Sequence, residues 1–392
     1  MRALVLMSVQ CLLALTWTIY VHFLPQFAAR AGIAAQDVAA MLVMDQVIFV
    51  AMDCALGIAA DRMADAMRRL GGWILALTLL SCAAFVILPQ VASPALLLGL
   101  TALWAATSSA LRAPAMVLVA RRTQATASAR LVGWAFFGTG LAAAVAPLVT
   151  VWLRGMSPVL PFAAASLGLL AAVVALRYVE AAPDDADSTP HAVAAPARLA
   201  WLFFAAAWAL ALGFQIHTTV NSAPLYLRFV PADGLLRVMP TFWLGFTLCV
   251  LLPSSAALRR VPVSAQLLTA SALGAVVLAG FAAAGSLAAV LVLQLAAGGL
   301  WGVALGTAIN TAIESGHVGR EGRYTGLVFA LSALAALTRI VLVATGAVRQ
   351  PGLASMLRWL PAAAWGLAAL LLAAFVARNL SGWRARLAQR PG

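Results

Sequence analysis

The sequence predicts an all-α polytopic membrane protein with twelve transmembrane helices in two pseudo-symmetric six-helix bundles. Of its 392 residues, 64% are hydrophobic and only 9% are charged, whereas about a quarter of the residues of a soluble chain carry charge. Apolar runs recur along the whole chain at the length that crosses a bilayer, which is about 20 residues. A single sustained polar stretch divides these runs into two sets of six.

The apolar runs are bounded by charged residues or by Pro and Gly. The first set lies at 3–28, 37–60, 71–90, 94–120, 129–152 and 158–178. The second set lies at 199–227, 238–258, 263–284, 286–313, 324–347 and 357–378. The stretch 179–197 between them is rich in Asp and Pro, which is typical of a linker. We therefore expect an N-terminal bundle at 1–178, a cytoplasmic linker at 179–197, and a C-terminal bundle with a short basic tail at 198–392.

The Arg residues predict the orientation of these helices. The chain has 25 Arg, no Lys and 12 acidic residues. With both termini in the cytoplasm, 17 Arg fall on the cytoplasmic side, 6 on the other side and 2 within spans. Because basic loops stay in the cytoplasm, this bias favours twelve spans with both termini inside. In a chain this apolar the Arg excess indicates topology and not nucleic-acid binding, and we expect a bacterial-type inner (plasma) membrane.

The two sets of spans also resemble each other in sequence. Span 5 opens with Arg130 and Gly133, and span 11 opens with Arg323 and Gly326, so both have Arg-x-x-Gly at a separation of 193 residues. That separation is close to half of the chain. Two homologous six-helix halves are the arrangement by which many transporters achieve alternating access.

The end of span 2 resembles the signature of a known family. Residues 57–69 have the sequence GIAADRMADAMRR, which is similar to the G-x-x-x-D-R-x-G-R-R motif of the major facilitator superfamily. The motif residues Gly57, Asp61 and Arg62 are in register, whereas its second glycine is an alanine and its Arg pair is displaced. The resemblance implies a loop that controls access from the cytoplasm, with gating residues Gly57, Asp61, Arg62, Arg68, Arg69 and Arg323.

Two further segments resemble the same superfamily in part. Span 4 has Arg112 where members often carry a buried Arg, although the residues after it do not continue that motif. Span 5 runs from Gly140 to Pro147 with a pattern similar to an antiporter motif, with Ala in place of the glycine before the proline. The resemblance implies a secondary transporter, and the last motif implies proton-driven export. Proton-coupled uptake of an organic anion or metabolite is the alternative.

Helix-end electrostatics agrees with a gating role for the span 2–3 loop. A carboxylate such as Asp61 is stabilised by the N-terminus of a facing helix, which carries partial positive charge. The start of span 11 at Arg323 is the expected partner, and the contact would close the cytoplasmic side in one state. The alternative is that Arg62, Arg68 and Arg69 only determine topology.

Four charged residues fall inside spans, where each costs ~2.5–3.5 kcal/mol on insertion scales. Asp53 and Arg112 lie eight and nine residues from the cytoplasmic ends of their helices, which at about 1.5 Å per residue is the same depth. Asp45 and Arg339 both lie sixteen residues in. We therefore expect an Asp53–Arg112 pair within one half and an Asp45–Arg339 pair between the halves. Asp53, Asp45 and Arg112 are candidates for proton coupling, and purely structural pairs are the alternative.

Polar and aromatic residues on spans 1, 4, 7, 10 and 11 predict the substrate cavity. His217 and Asn221 are four residues apart on span 7 and are expected on one helix face. An amphipathic or anionic organic molecule would suit such a cavity. The alternative is that the polar groups only bond neighbouring helices. The cavity candidates are Arg339, His217, Asn221, Asn310, Glu314, Ser108, Trp104, Trp17 and Trp301.

The chain lacks the motifs of the competing functions. An intramembrane enzyme is the main alternative of another class, but no H-E-x-x-H, Gly-rich phosphate loop or G-x-S-x-G is present. A channel ranks third. All four Cys lie in apolar runs, so we expect no disulfide, no metal site and no cofactor. The expected energy source is a proton gradient, and the expected partners of this monomer are the lipid bilayer and a small-molecule substrate.

The orientation can be tested with reporter fusions. Green fluorescent protein fused in the 179–197 linker or at the C-terminus should fluoresce, since both sites are predicted to be cytoplasmic. Alkaline phosphatase fused at the same two sites should be inactive. A fusion at Arg154, in a loop predicted on the other side, is the matched control and should give the reverse. Active phosphatase at either of the first two sites would contradict the twelve-span arrangement.

Overall fold

The computed structural model describes residues 1–63, 67–122, 125–181, 199–316 and 319–388. Within these ranges the regular structure is helical, without a β-strand. Twelve helical segments are long and apolar enough to cross a membrane. The predicted all-α, twelve-span class is therefore confirmed.

We number these segments α1 to α12. The first six are Arg2–Arg30, Ala35–Arg62, Leu70–Gln90, Pro94–Leu118, Ser128–Leu153 and Val159–Val179. The second six are Ala200–Tyr226, Ala232–Ser254, Val263–Ala283, Leu287–Gly316, Glu321–Ala344 and Pro351–Asn379. The α6 helix continues to Ala181, three residues into the predicted linker, and most of that linker lies outside the described residues.

Helix α4 was predicted as one continuous span but is interrupted. The α-helix Pro94–Ser108 passes into a 3₁₀ turn at Ser109–Leu111. A new helix then runs over Ala113–Arg122, so Arg112 stands at the junction. Pro114 has no N–H to offer the carbonyl four residues earlier, and its ring clashes with that carbonyl. The interruption therefore follows from the proline.

Helix α7 contains a π-helical turn at His217–Asn221. A π-turn closes hydrogen bonds over five residues instead of four, and such turns are frequent at functional sites. Pro224 follows the turn and lacks the N–H that a regular helix would need there. Side chains after the π-turn therefore point in directions around the helix axis that differ from those of a continuous α-helix.

Helix α8 begins earlier than predicted and consists of short pieces. A 3₁₀ turn at Ala232–Gly234 and one helical turn at Leu235–Val238 precede the main helix Thr241–Cys249. Arg237, which the sequence placed in a loop, lies in the second of these pieces. Prolines at the junctions account for the division, because each removes a backbone donor.

The helices pack in two groups that meet along two seams. In the first half, α1 packs against α5 and α6, and α3 packs against α4 and α6. In the second half, α10 packs against α8 and α9, and α12 packs against α7 and α9. The halves contact each other mainly through α2 with α11 and through α5 with α8. This pairing is the cross-half contact expected for span 2 and span 11.

Glycines bring the backbones together at both seams. A Cβ on Gly57 of α2 would collide with the backbone oxygen of Gly322 in α11, and a Cβ on Gly326 would collide with the backbone of α2. Gly140 of α5 lies against Phe246 of α8, where a Cβ would come within 2.5 Å of the ring. Small residues permit such close approach between membrane helices. The two halves are thus held in contact at the end of the bundle where α2 ends and α11 begins, which we call the Asp61 end.

The core of the second half is built around Trp365. Its ring is buried and fills the space left by Gly213 and Gly274, where a Cβ would meet the indole atoms. The indole N–H donates to the Leu210 carbonyl at 3.1 Å, so its polar atom has a partner. Three helices, α7, α9 and α12, are joined by this one side chain.

The glycine contacts predict a stability effect. Gly298→Ala in α10 should lower the apparent melting temperature in detergent by several degrees, because the new Cβ would collide with the Phe242 carbonyl of α8 and overpacking costs about 1–3 kcal/mol. Gly99→Ala in α4 is the matched control, since nothing lies within 4 Å of that position. It should leave stability unchanged or slightly raised. Equal melting temperatures for both variants would contradict the packing described.

Candidate functional site

Asp61 joins the two halves at the Asp61 end. Its Oδ1 accepts a hydrogen bond from the backbone N–H of Gly322 at 2.6 Å, and its Oδ2 accepts one from the N–H of Arg323 at 2.8 Å. These are donors of the first turn of α11, which have no partner within their own helix. The carboxylate also lies at the positive end of the helix dipole. The contact predicted between Asp61 and the start of span 11 is present.

The other gating candidates take different positions. Arg323 contributes its backbone N–H, and its side chain is exposed. Arg62 is exposed at the end of α2. Arg68 and Arg69 lie in the helix that leads into α3, and their side chains lie outside the described part of the chain. Of the six residues, Gly57, Asp61 and the backbone of Arg323 form the seam.

Asp53 and Arg112 form a buried ion pair, as their equal depth predicts. Arg112 Nε lies 3.1 Å from Asp53 Oδ1, with the Asp53 side chain fully buried and that of Arg112 22% exposed. Arg112 also donates from Nη2 to Ser109 Oγ at 2.9 Å. Its guanidinium carbon stands 4.1 Å from the ring centre of Phe49, a cation–π distance. Phe49 and Asp53 are one helical turn apart on α2, so they present a ring and a carboxylate to the same guanidinium.

The ion pair lies next to the seam between the halves. Gly326 of α11 approaches the backbone of Asp53 so closely that a Cβ there would collide with the Asp53 carbonyl. One turn further along, Phe49 packs with Ala333 of α11 and Ala105 of α4. Separation of α2 from α11 would therefore uncover the side of α2 that carries the pair.

The predicted Asp45–Arg339 pair is wrong. Asp45 is fully buried, and its Oδ2 accepts a hydrogen bond from the Tyr20 hydroxyl of α1 at 2.8 Å. Arg339 is partly buried, and its Nε has no acceptor among the described residues. Equal depth on two helices does not fix the direction of the side chains, and Tyr20 offers Asp45 a donor within its own half. Within the described part of the chain, Arg339 forms no ion pair with a carboxylate.

Two aromatic stacks occupy equivalent places in the two halves. Trp17 and Trp104 stack at 6.0 Å between ring centres with an interplanar angle of 13°. Phe214 and Trp301 stack at 4.4 Å and 9°. The second stack lies 197 residues after the first at both positions. Helices α1 and α4 therefore repeat as α7 and α10. Three of the four stacked residues are cavity candidates (Trp17, Trp104 and Trp301), and the fourth, Phe214, was not predicted.

His217 belongs to a closed polar network inside the second half. One of its ring nitrogens, Nε2, lies 2.7 Å from Gln294 Oε1, and Gln294 Nε2 donates to Ser222 Oγ at 2.9 Å. Ser222 in turn donates from its hydroxyl to the His217 carbonyl at 2.7 Å, which also accepts the backbone N–H of Ser222. All three side chains are buried. The network ties α7 to α10.

His217 and Asn221 form hydrogen bonds to different helices, and their common face on α7 stays a prediction. Asn221 Nδ2 donates to the Leu357 carbonyl of α12 at 2.9 Å, whereas His217 contacts Gln294 of α10. The Leu357 carbonyl would bond the N–H of residue 361 in a regular helix, but that residue is Pro361. Asn221 therefore satisfies a carbonyl that a proline leaves without a donor.

The remaining cavity candidates lie along α4 and α10. Ser108 donates to the Ala105 carbonyl of its own helix at 3.0 Å. Asn310 donates to the Gly306 carbonyl at 2.8 Å and is buried. Glu314 is partly buried one turn further on.

Four residues of the site were missed from the sequence. Tyr20 and Gln294 are the partners of Asp45 and His217, and Phe49 lies under Arg112. Gln10 of α1 donates from Nε2 to the Leu111 carbonyl at 2.7 Å. Glutamines inside apolar runs are a signal that could have found two of these, because a buried amide needs partners.

Two six-helix halves that meet along a seam, with a buried ion pair beside it, define a membrane transporter that works by alternating access. The family model of the Major Facilitator Superfamily matches residues 6–338. The chain belongs to this superfamily and is a multi-pass secondary transporter, not an enzyme. None of the curated protein sequences matches the chain.

Solved transporter structures have the same fold. The human organic anion transporter MFSD10 (TETRAN) gives a TM-score of 0.70 at 14% identity, covering 94% of this chain and 98% of that one. The E. coli fucose:proton symporter FucP in the outward conformation gives 0.68 at 15%, covering 96% and 98%. A bacterial homologue of the iron transporter ferroportin, outward-facing, gives 0.70 at 14%, covering 96% and 100%. At such identities the likeness concerns the fold alone.

The Asp61 contact predicts a transport defect. Asp61→Asn should lower the initial rate of solute counterflow by about 10-fold or more, because an amide replaces a carboxylate that accepts two backbone donors, and hydrogen bonds to charged groups contribute about 1.5–3 kcal/mol. Asp37→Asn, an exposed carboxylate at the opposite end of α2, is the matched control. Both variants should be present in the membrane at wild-type levels. Wild-type rates for Asp61→Asn would leave the loop with a topological role alone.

Proposed function

We propose that this transporter exports a small organic solute across the inner membrane in exchange for protons, with the Asp53–Arg112 pair as the coupling site. Both halves are contained in one chain, so the proposal needs no second subunit. In the expected orientation the Asp61 end faces the cytoplasm. The described state is closed at that end.

The observation that carries the proposal is the position of the ion pair beside the α2–α11 seam. Asp53 is fully buried and paired with Arg112, and its backbone lies against Gly326 of α11. When the halves separate at the Asp61 end, α11 leaves this face of α2 and water can approach. A carboxylate that exchanges its Arg partner for a proton at that point would link proton movement to the conformational cycle.

The substrate class follows from unpaired charge and from the aromatic stacks. Arg339 has no carboxylate partner among the described residues, and its Nε has no acceptor. A charge inside a membrane protein is stabilised by an opposite charge, which favours an anionic solute. Trp17 and Phe214 are partly exposed members of the two stacks and offer flat apolar surfaces. An amphipathic organic anion fits both features, and one of the similar structures is an organic anion transporter.

Export is supported by α5. Its segment from Gly140 to Pro147 resembles the antiporter motif, and Gly140 lies at the second seam against Phe246 and Thr247 of α8. The same helix pair must separate and close in each cycle. The segment from Gly140 to Pro147 therefore lies in the contact between α5 and α8 that opens and closes during transport.

Symport of protons with an organic anion is the second candidate, and one observation favours it. Arg112 is partly exposed beside Asp53, so a proton on Asp53 would leave Arg112 available to an anion. Proton and anion would then move together, inwards. One of the similar structures is a proton symporter.

The proposal can be tested in proteoliposomes. A counterflow screen across organic acids, drugs and metal-chelating metabolites identifies a transported solute. An imposed pH gradient then separates the two candidates: antiport accumulates the solute in the acidic compartment, symport in the alkaline one. Protein-free liposomes correct for passive movement of weak acids. A solute flux that ignores the gradient would contradict proton coupling.

Asp53→Asn is expected to abolish gradient-driven transport while solute exchange continues. The amide keeps the shape of the side chain and removes the group that binds a proton, and exchange requires only conformational cycling. Asp45→Asn is the comparison variant, because it removes the other buried carboxylate of α2. Undiminished gradient-driven transport in Asp53→Asn would move the coupling role elsewhere, with Asp45 as the next residue to test.

A further inference from the structure

Gln10 of α1 is tied to the place where α4 is interrupted. Its Nε2 donates to the backbone carbonyl of Leu111 at 2.7 Å, and the side chain is buried. Leu111 ends the 3₁₀ turn and directly precedes Arg112. An interior amide hydrogen bond between separate helices constrains both of them, because a buried polar group without a partner is costly.

The helical hydrogen-bond pattern of α4 is broken at Arg112, whose φ of −100° and ψ of −96° lie outside the helical region. The local chain offers weak support, since the N–H of Met116 reaches the Arg112 carbonyl only at 3.3 Å. Pro114 offers no N–H at all.

Helix α1 contacts the first part of α4 and the turn that ends it. Trp17 stacks on Trp104, before the interruption, and Gln10 binds Leu111, at the interruption. Gln10 and Trp17 are two helical turns apart and lie on one face of α1. Helix α1 therefore holds α4 at two points, of which the second directly precedes Arg112.

We infer that Gln10 is a positioning residue that sets the backbone at Leu111 and thereby directs the Arg112 side chain towards Asp53. The expected effect of Gln10 on transport rests on the proposed function, whereas its effect on the position of Arg112 is independent of that function. The bond from Gln10 holds Leu111, the Leu111–Arg112 linkage fixes where the Arg112 side chain begins, and Asp53 and Ser109 receive the guanidinium. Movement of α1 relative to α4, for instance when a solute lies on Trp17, is passed to the ion pair by this route.

Gln10→Met tests the inference because it keeps the length of the side chain and removes the donor. In hydrogen-exchange mass spectrometry of the purified protein, amides of 109–116 should exchange on the order of 10-fold faster, as expected for loss of one buried hydrogen bond. Thr16→Val is the matched control: Thr16 is a buried residue of α1 whose hydroxyl bonds the Leu13 carbonyl of its own helix. It should leave 109–116 unchanged. Unchanged exchange in Gln10→Met would overturn the inference.

A double-mutant cycle separates positioning from general stability. If Gln10 acts through Arg112, Arg112→Met should lower the melting temperature by less than about half as much in the Gln10→Met background as in the wild type, since coupled residues are non-additive. Arg112→Met combined with Thr16→Val should be additive. Additive effects in both combinations would also overturn the inference.

Transport distinguishes this inference from the proposed function. Gln10→Met is expected to reduce gradient-driven transport of the screened solute more than its exchange, because the ion pair is misplaced while the seam is intact. The double-mutant cycle could be non-additive while Asp53→Asn keeps undiminished gradient-driven transport. That combination would retain Gln10 as the residue that positions Arg112, and it would refute the coupling role of the Asp53–Arg112 pair. A loss of exchange equal to the loss of gradient-driven transport in Gln10→Met would refute positioning as the route to coupling.

Discussion

The arrangement of α1, α2, α4 and α11 depends on the ion pair between Asp53 and Arg112. A single charge in the middle of a membrane protein is costly, so each of these residues requires the other. The interruption that Pro114 causes in α4 leaves Arg112 at the junction of its two parts, and α2 places Phe49 and Asp53 on the face that receives the guanidinium. The pair also lies beside the contact between α2 and α11. Separation of these two helices would therefore change the surroundings of both charges.

The seam is built so that it can open without loss of hydrogen-bonded secondary structure. Where α2 meets α11, glycine backbones make the closest contacts, and the Asp61 carboxylate accepts hydrogen bonds from the first turn of α11. That helix end can bind water in place of Asp61 when the halves separate. By contrast, the Trp365 contact and the His217–Gln294–Ser222 network lie within one half. Rigid halves and an exchangeable seam are what alternating access requires.

The sequence predicted those parts of the structure that depend on composition, depth and helix ends. Hydropathy located the twelve spans, equal depth located the Asp53–Arg112 pair, and the dipole argument located the partner of Asp61. The π-turn of α7 was not predictable from periodicity, because one extra residue in a turn changes which side chains share a face. The predicted Asp45–Arg339 pair considered only charges, whereas Asp45 Oδ2 accepts its hydrogen bond from the Tyr20 hydroxyl. Pro114, two residues after Arg112, was the sequence signal for the interruption of α4.

The repeated aromatic stacks also show that the two halves differ in length between corresponding positions. From Trp104 to Arg130 the first half has 26 positions, whereas from Trp301 to Arg323 the second half has 22. The difference of four residues is about one helical turn. The longer interval contains the interruption of α4, whereas its counterpart α10 runs unbroken to Gly316. Two halves with matching aromatic stacks therefore differ in the helix beside the ion pair, and the chemistry of the Asp53–Arg112 pair belongs to one half alone.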